Sequence, residues 1–154
     1  MKASVPRQED GAERIRILHL EDSVIDHDLV KRALQTAQLD FDIQRVETLE
    51  EFALQASGTG VDLILADYRL PGFTAIEAWE MLAAQGPRPP FVLVSGAIGE
   101  AAAVAAIQLG MSDYVLKDDL AELAHVVQRS IEVHRARLAR EDAIRELAAS
   151  EHRL

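Results

Sequence analysis

The stretch VDLILADYRLPG, residues Val61–Gly72, decides how the rest of the chain is interpreted. Val61–Ala66 is short and largely apolar, which predicts a buried strand. Asp67 follows this run directly, and Pro71-Gly72 marks a loop a few residues later. A carboxylate is therefore expected at the carboxyl end of a buried strand, where ligands bind in doubly wound sheets.

Runs of the same kind occur on both sides of this stretch and alternate with helical patterns. Five strand-like runs are predicted: Ile15–Leu20, Phe41–Val46, Val61–Ala66, Phe91–Val94 and Tyr114–Leu116. Five helices are predicted to follow them: Val24–Ala37, a helix capped by Thr48 with Glu51, Ala75–Ala84, Glu100–Leu109 and a long helix from near Asp118. Such alternation predicts one α/β domain with a doubly wound parallel sheet.

Polar side chains follow four of the five predicted strands. Glu21 and Asp22 end the first strand, Asp67 the third, Ser95 the fourth and Lys117 the fifth. Because parallel strands end at the same edge of a sheet, we expect these side chains to meet there. Each of them has an ordinary structural explanation when taken alone, such as a turn or an N-cap, but all five at one edge indicate a site.

Three clustered carboxylates repel one another unless a cation lies among them. Oxygen ligands of this kind suit Mg²⁺, which often shares its coordination shell with phosphate. A carboxylate beside such an ion can attack a phosphoryl group, and Lys117 and Ser95 can interact with the transferred oxygens. The pattern favours formation of an aspartyl phosphate at Asp67.

Four segments, in this order and spacing, resemble the response-regulator receiver family: Ile17–Asp22, Leu65–Gly72, Val92–Gly96 and Asp113–Lys117. The resemblance covers roughly residues 14–136. It implies a flavodoxin-like (βα)5 fold with strand order 2-1-3-4-5. It also implies a phosphorelay in which a histidine kinase or a phosphotransfer protein phosphorylates Asp67.

The same resemblance implies roles for the individual residues. The Mg²⁺ ligands would be the side chains of Asp22 and Asp67, the backbone carbonyl of Arg69, and Glu21 either directly or through a water molecule. Ser95 and Tyr114 match the family's switch pair. Their rearrangement on phosphorylation would change the face formed by helix 4, strand 5 and helix 5, and so control an output domain or a partner.

Three positions depart from the family's common pattern or invite a second explanation. Asp118 stands where a proline in a cis peptide is frequent, which leaves the isomer of the Lys117–Asp118 bond open. Arg69 lies two residues after Asp67 and is expected to influence the lifetime of the phosphorylated state. His27-Asp28 is similar to the phosphoacceptor pairs of kinases, but a solvated residue on the first helix is the expected role of His27.

Composition excludes several classes of function. The 154 residues contain no cysteine, which removes disulfides, thiolate catalysis and cysteine-ligated metals. The net charge of −10 argues against direct nucleic-acid binding. No apolar run is long enough to span a membrane, and Met1–Glu13 lacks the apolar core of a secretory signal. A cytoplasmic protein without membrane contact is the default expectation.

Three divisions of the chain are predicted. Residues 1–13 are expected to be a flexible leader, residues 14–136 the receiver domain, and residues 137–154 a helical linker toward a downstream output module. No proline or glycine occurs from Asp118 to Leu154, so one continuous helix is expected there. Whether the linker forms a weak coiled coil, and hence a homodimer, stays open.

Other classes of function also remain to be tested. A haloacid-dehalogenase-type phosphatase would use the same groups, but its second aspartate position is Arg69 here. A nucleotide-binding Rossmann module would need a glycine-rich loop after the first strand, and none follows Leu20. A constitutive protein-binding module is the alternative if Asp67 takes up no phosphoryl group.

Overall fold

The computed structural model describes residues 14–58, 60–96 and 100–152, so the predicted leader at 1–13 lies outside the described residues. One parallel sheet contains five strands: β1 (Ile15–Leu20), β2 (Phe41–Val46), β3 (Leu63–Ala66), β4 (Phe91–Ser95) and β5 (Asp113–Leu116). Their order across the sheet is β2-β1-β3-β4-β5. The predicted order 2-1-3-4-5 and the flavodoxin-like fold are confirmed.

Within the described residues, five α-helices connect or follow the strands: α1 (Val24–Thr36), α2 (Leu49–Ala56), α3 (Ala75–Ala83), α4 (Glu100–Leu109) and α5 (Leu123–His152). The Thr48 hydroxyl accepts from the Glu51 N–H, which confirms the predicted cap of α2. The Glu51 carboxylate accepts from Glu47 N–H, at the residue before the cap. A small hairpin joins Arg69–Leu70 to Phe73–Thr74 just before α3.

The prediction of a continuous helix from near Asp118 was wrong at its beginning. Lys117–Glu122 forms a 3-10 helix, and Asp119 departs from helical geometry with φ −128° and ψ 39°. The irregular geometry at Asp119 lets the chain turn. Lys117 before it reaches the edge of the sheet where the strands end, and Leu123 after it is fully buried. No peptide bond within the described ranges is cis, so the Lys117–Asp118 bond is trans.

Two apolar layers cover the sheet because successive strand residues point to opposite faces. One layer packs helices α2, α3 and α4 against the sheet and includes Leu18, Phe52, Ile64, Trp79 and Phe91. The other packs α1 and α5 against it and includes Ile17, Leu34, Leu65, Val92 and Val127. With both faces covered, the open places for chemistry are the ends of the strands.

The last helix continues beyond this core. Ile131 is the last buried residue of α5, and the helix runs on to His152. At about 1.5 Å per residue, the helix extends about 30 Å past Ile131. No helix in the described part of the chain is both long and apolar enough to cross a membrane.

Candidate functional site

The register of the sheet brings the predicted side chains together. Leu20 is paired with Ala66, so Glu21 and Asp67 leave neighbouring strands at the same level. The Asp67 N–H donates to the Leu20 carbonyl at 3.0 Å, which fixes the backbone at this point. Ser95 is paired with Leu116, so it lies beside the strand that leads into Lys117.

Three carboxylates form the centre of this edge. Glu21, Asp22 and Asp67 each offer one oxygen atom, and these atoms lie within 4.8 Å of one another. Their exposure differs: the Glu21 side chain is 1% exposed and that of Asp67 13%, whereas Asp22 is exposed to solvent. The cluster is therefore open on one side and closed beneath.

Lys117 brings a positive charge to the cluster. Its Nζ donates to Asp67 Oδ2 at 3.1 Å and lies 3.1 Å from Glu21 Oε1. A third carboxylate, Asp26 Oδ2, accepts from the same Nζ at 2.6 Å. Burial alone would lower the pKa of Lys117, but the hydrogen bond to Asp26 and the carboxylates of Glu21 and Asp67 raise it overall. The lysine is held as an ammonium ion.

Glu21 provides the observation that tests whether a cation fits here. Burial, together with the nearby charge of Asp67, raises its pKa to about 7 against the opposing effects of the Ser23 N–H and Lys117. Its Oε2 accepts from the Ser23 N–H at 3.1 Å, whereas buried Oε1 lies 3.1 Å from Lys117 Nζ as an ion pair without the geometry of a hydrogen bond. A buried carboxylate that clusters with two others, and whose Oε1 accepts no hydrogen bond, suits a hard divalent cation.

The remaining predicted residues lie around this centre. Ser95 is 6% exposed and ends β4, and Tyr114 lies on β5 with 39% exposure. Arg69 is exposed in the small hairpin after Asp67, with its guanidinium over the Tyr68 ring at 5.9 Å. The fold thus places six of the seven predicted residues at or just after the strand ends, and Tyr114 inside the edge strand β5, where it is paired with Leu93. Their roles stay predictions.

A histidine pair beneath the cluster was not anticipated from the sequence. His19 Nδ1 and His27 Nδ1 lie 2.9 Å apart, which joins the end of β1 to α1. The expectation that His27 is a solvated residue was wrong, because it packs half-buried against His19. His19 itself is fully buried, and burial with the nearby charges of His27, Lys117 and Arg45 lowers its pKa to about 3.

The low pKa of His19 predicts a loss of stability in acid. Between about pH 6.5 and about pH 3 the unfolded chain binds a proton at His19 that the folded chain does not. The free energy of unfolding should therefore fall by up to about 1.4 kcal/mol per pH unit through this residue as the pH drops. His19→Leu should remove that slope, as measured by urea unfolding at several pH values without divalent metal.

His125→Leu is the matched control, because His125 is exposed at the beginning of α5. It should leave the slope of the wild-type protein unchanged. Parallel pH profiles of wild type and His19→Leu would show instead that His19 takes up its proton in the folded protein.

Asp26 is the second residue that the motifs did not reveal. It lies in the first turn of α1, where its N–H donates to the Ser23 hydroxyl at 3.1 Å. The sequence contained one signal. Asp26 lies four residues after Asp22, a spacing that brings side chains to the same side of the chain once a helix begins. That signal does not identify Lys117, which is distant in sequence, as its partner.

Comparisons with known proteins agree with this geometry. The family model of the response regulator receiver domain matches residues 17–128. The regulatory protein AtoC of Escherichia coli K12 is 33% identical over 120 residues, which are 71% of this chain and 24% of AtoC. The chain thus spans about a quarter of the length of that curated relative.

Two solved structures illustrate the likeness in three dimensions. The receiver domain of the sensor histidine kinase PA1611 from Pseudomonas aeruginosa PAO1, with magnesium coordinated in its active-site cleft, is 25% identical with a TM-score of 0.66. The match covers 77% of this chain and 98% of that one. A CheY-like receiver domain protein from Methanospirillum hungatei JF-1 shares the fold with a TM-score of 0.67 and 20% identity, over 80% of this chain and 98% of the other. The chain belongs to the response regulator receiver domain family of two-component signalling proteins.

Proposed function

We propose that this receiver domain accepts a phosphoryl group on Asp67 and that the acylphosphate controls an output domain or partner. The observation that carries the proposal is the position of Asp67. It follows the central strand β3, contacts Lys117 and shares its edge with Glu21 and Asp22. Membership of the family adds the expectation of phosphorylation signalling.

The proposed reaction is a displacement at phosphorus. An Asp67 carboxylate oxygen attacks the phosphoryl group of a phosphohistidine, the O–P bond forms and the P–N bond breaks. The bonding electron pair leaves with the histidine nitrogen, and the aspartate becomes a mixed anhydride of carboxylic and phosphoric acid. The buried surroundings favour this transfer only if the charge on the phosphoryl oxygens is neutralised.

The chain's own residues would supply much of that neutralisation. Lys117 lies within hydrogen-bond distance of Asp67 and would donate to one phosphoryl oxygen, while the Ser95 hydroxyl would donate to another. Glu21, Asp22, Asp67 and the Arg69 carbonyl would hold Mg²⁺. The ion would neutralise phosphoryl charge and carboxylate repulsion alike.

The proposed response to phosphorylation involves Ser95 and Tyr114. The Ser95 side chain would move toward the phosphoryl group, and the half-exposed ring of Tyr114 would turn inward into the space that is left. Tyr114 lies on β5 and Ser95 is paired with Leu116 of that strand, so the affinity of the face formed by α4, β5 and α5 for a partner would change.

The proposed partners follow from the family and from the shape of the chain. A sensor histidine kinase or phosphotransfer protein would donate the phosphoryl group in the cytoplasm. We propose residues 14–136 as the receiver and residues 137–154 as a helical linker to an output domain, since α5 continues far past its last buried residue. A homodimer through this exposed helix is a further proposal.

The test is intact mass of the protein after incubation with acetyl phosphate. We expect a gain of one phosphoryl group with Mg²⁺ and no gain with EDTA, because the single charge of Lys117 does not offset three carboxylates, which then repel the anionic donor. A Mg²⁺-independent gain would contradict the proposed metal site. Steady hydrolysis of small phosphate esters without an adduct would favour a phosphatase instead.

An unchanged mass has two explanations that a second ligand separates. Beryllofluoride mimics the phosphoryl group and needs no chemical step, so its Mg²⁺-dependent binding would show that acetyl phosphate is merely a poor donor. If beryllofluoride does not bind either, the domain would be a constitutive protein-binding module.

A further inference from the structure

We propose that Asp26 is a positioning residue that holds the Lys117 ammonium in the resting protein and competes with the phosphoryl group for it. The inference rests on the proposed function of Asp67. It concerns a side chain that none of the motifs includes, and it assigns that side chain an inhibitory role.

The geometry singles out Asp26 among the carboxylates around Lys117. Its Oδ2 lies 2.6 Å from Nζ, whereas Glu21 Oε1 and Asp67 Oδ2 both lie at 3.1 Å. A short distance between ionised groups marks a strong, charge-assisted hydrogen bond. Asp26 is placed for this contact by the first turn of α1, where its N–H is bonded to the Ser23 hydroxyl.

The ammonium has only three protons to donate. In the resting protein it makes hydrogen bonds to Asp26 and Asp67 and lies against Glu21. A phosphoryl oxygen that arrives at Asp67 must therefore replace one of these acceptors or share a proton with it. The occupancy of Lys117 by carboxylates opposes phosphorylation.

Exposure decides which contact is released most easily. The Glu21 side chain is 1% exposed, so water cannot replace the lysine at its carboxylate. The Asp26 side chain is 33% exposed and can be hydrated when the lysine leaves. Asp26 is therefore the acceptor that Lys117 exchanges for the phosphoryl group. The exchange would also release a contact between α1 and the residue after β5, which are far apart in sequence.

The test is the affinity for beryllofluoride at saturating Mg²⁺ of wild type, Asp26→Asn and Asp28→Asn. Asparagine at position 26 keeps the shape but holds the ammonium less tightly, so binding should tighten about three- to ten-fold. Asp28→Asn is the matched control, since Asp28 is exposed on the same helix and the same charge is removed. It should bind as wild type does. Saturating Mg²⁺ removes any effect of the variants on metal affinity.

A merely structural role for Asp26 would give the opposite sign, because a disturbed site binds less tightly. Weaker or unchanged binding by Asp26→Asn would overturn the inference, and so would an equal gain in Asp28→Asn, which would reduce the effect to net charge. Both results leave the proposed function standing as long as wild type binds beryllofluoride. Absence of Mg²⁺-dependent binding in wild type would remove the proposed function together with this inference.

Discussion

Asp67→Asn should gain no phosphoryl mass from acetyl phosphate and Mg²⁺ under conditions in which the wild-type chain gains one phosphoryl group. The neutral amide is a far weaker nucleophile than the carboxylate, and no stable acylphosphate can form on it. Asparagine has nearly the same volume, and the Asp67 backbone N–H keeps its bond to Leu20. We therefore expect complete loss of the adduct with the fold retained.

Asp118→Asn is the matched control for this experiment. Asp118 is exposed and follows Lys117 directly, so the variant removes one charge near the site without removing the proposed acceptor. It should still gain the phosphoryl group. A full gain in Asp67→Asn would place the acceptor elsewhere, and hydroxylamine would then tell a labile acylphosphate from a stable serine or threonine ester.

The order of elements in this fold could be predicted because each signal is local. The short apolar runs at β3 and β4 reflect burial on both faces of the sheet, and the alternation at β2 reflects burial on one face. Strand limits were less predictable. The strand predicted from Val61 begins at Leu63. Before it, the Asp62 N–H donates to the Arg16 carbonyl and the Asp62 carboxylate accepts from the Arg16 N–H, so a side chain replaces one backbone partner and the regular ladder does not extend to Asp62.

The candidate site divides in the same way between local and distant signals. Glu21, Asp22, Asp67, Ser95 and Lys117 could be predicted because each lies at the end of a strand or within two residues after it, and strand ends meet at one edge. Asp26 and His19 could not, since their importance depends on packing across the fold. His19 is one residue of an apolar strand, and only the position of α1 brings His27 to it.

These two contacts give α1 a defined relation to the site. Lys117 contacts Asp26, and His19 contacts His27, the next residue of the same helix. Both contacts join α1 to groups in or beside the carboxylate cluster, and both are sensitive to charge. Because Lys117 contacts both Asp67 and Asp26, we expect a change of charge at Asp67 to act on α1 through this lysine.

Phe91→Ala should lower the free energy of unfolding by about 3 to 5 kcal/mol, the usual range for removing a fully buried aromatic ring. Phe91 is 0% exposed at the beginning of β4. Its ring meets the Trp79 ring edge-on with centroids 5.4 Å apart and the Phe52 ring edge-on at 6.5 Å. The cavity would lie among large, rigid side chains that cannot easily close it. Urea unfolding followed by the fluorescence of Trp79, the only tryptophan, measures the effect directly.

Leu54→Ala is the control, since Leu54 is 72% exposed on α2 and its truncation should change the stability by less than about 0.5 kcal/mol. A loss below about 1 kcal/mol for Phe91→Ala would mean that the layer around Trp79 is loosely packed.

The variant also separates stability from chemistry. Phe91 begins the strand that Ser95 ends, so the cavity and the carboxylate cluster lie toward opposite ends of the sheet. While Phe91→Ala remains folded, it should therefore still bind beryllofluoride with Mg²⁺. Loss of binding in the folded variant would show that the aromatic layer positions the strand ends as well as stabilising the fold.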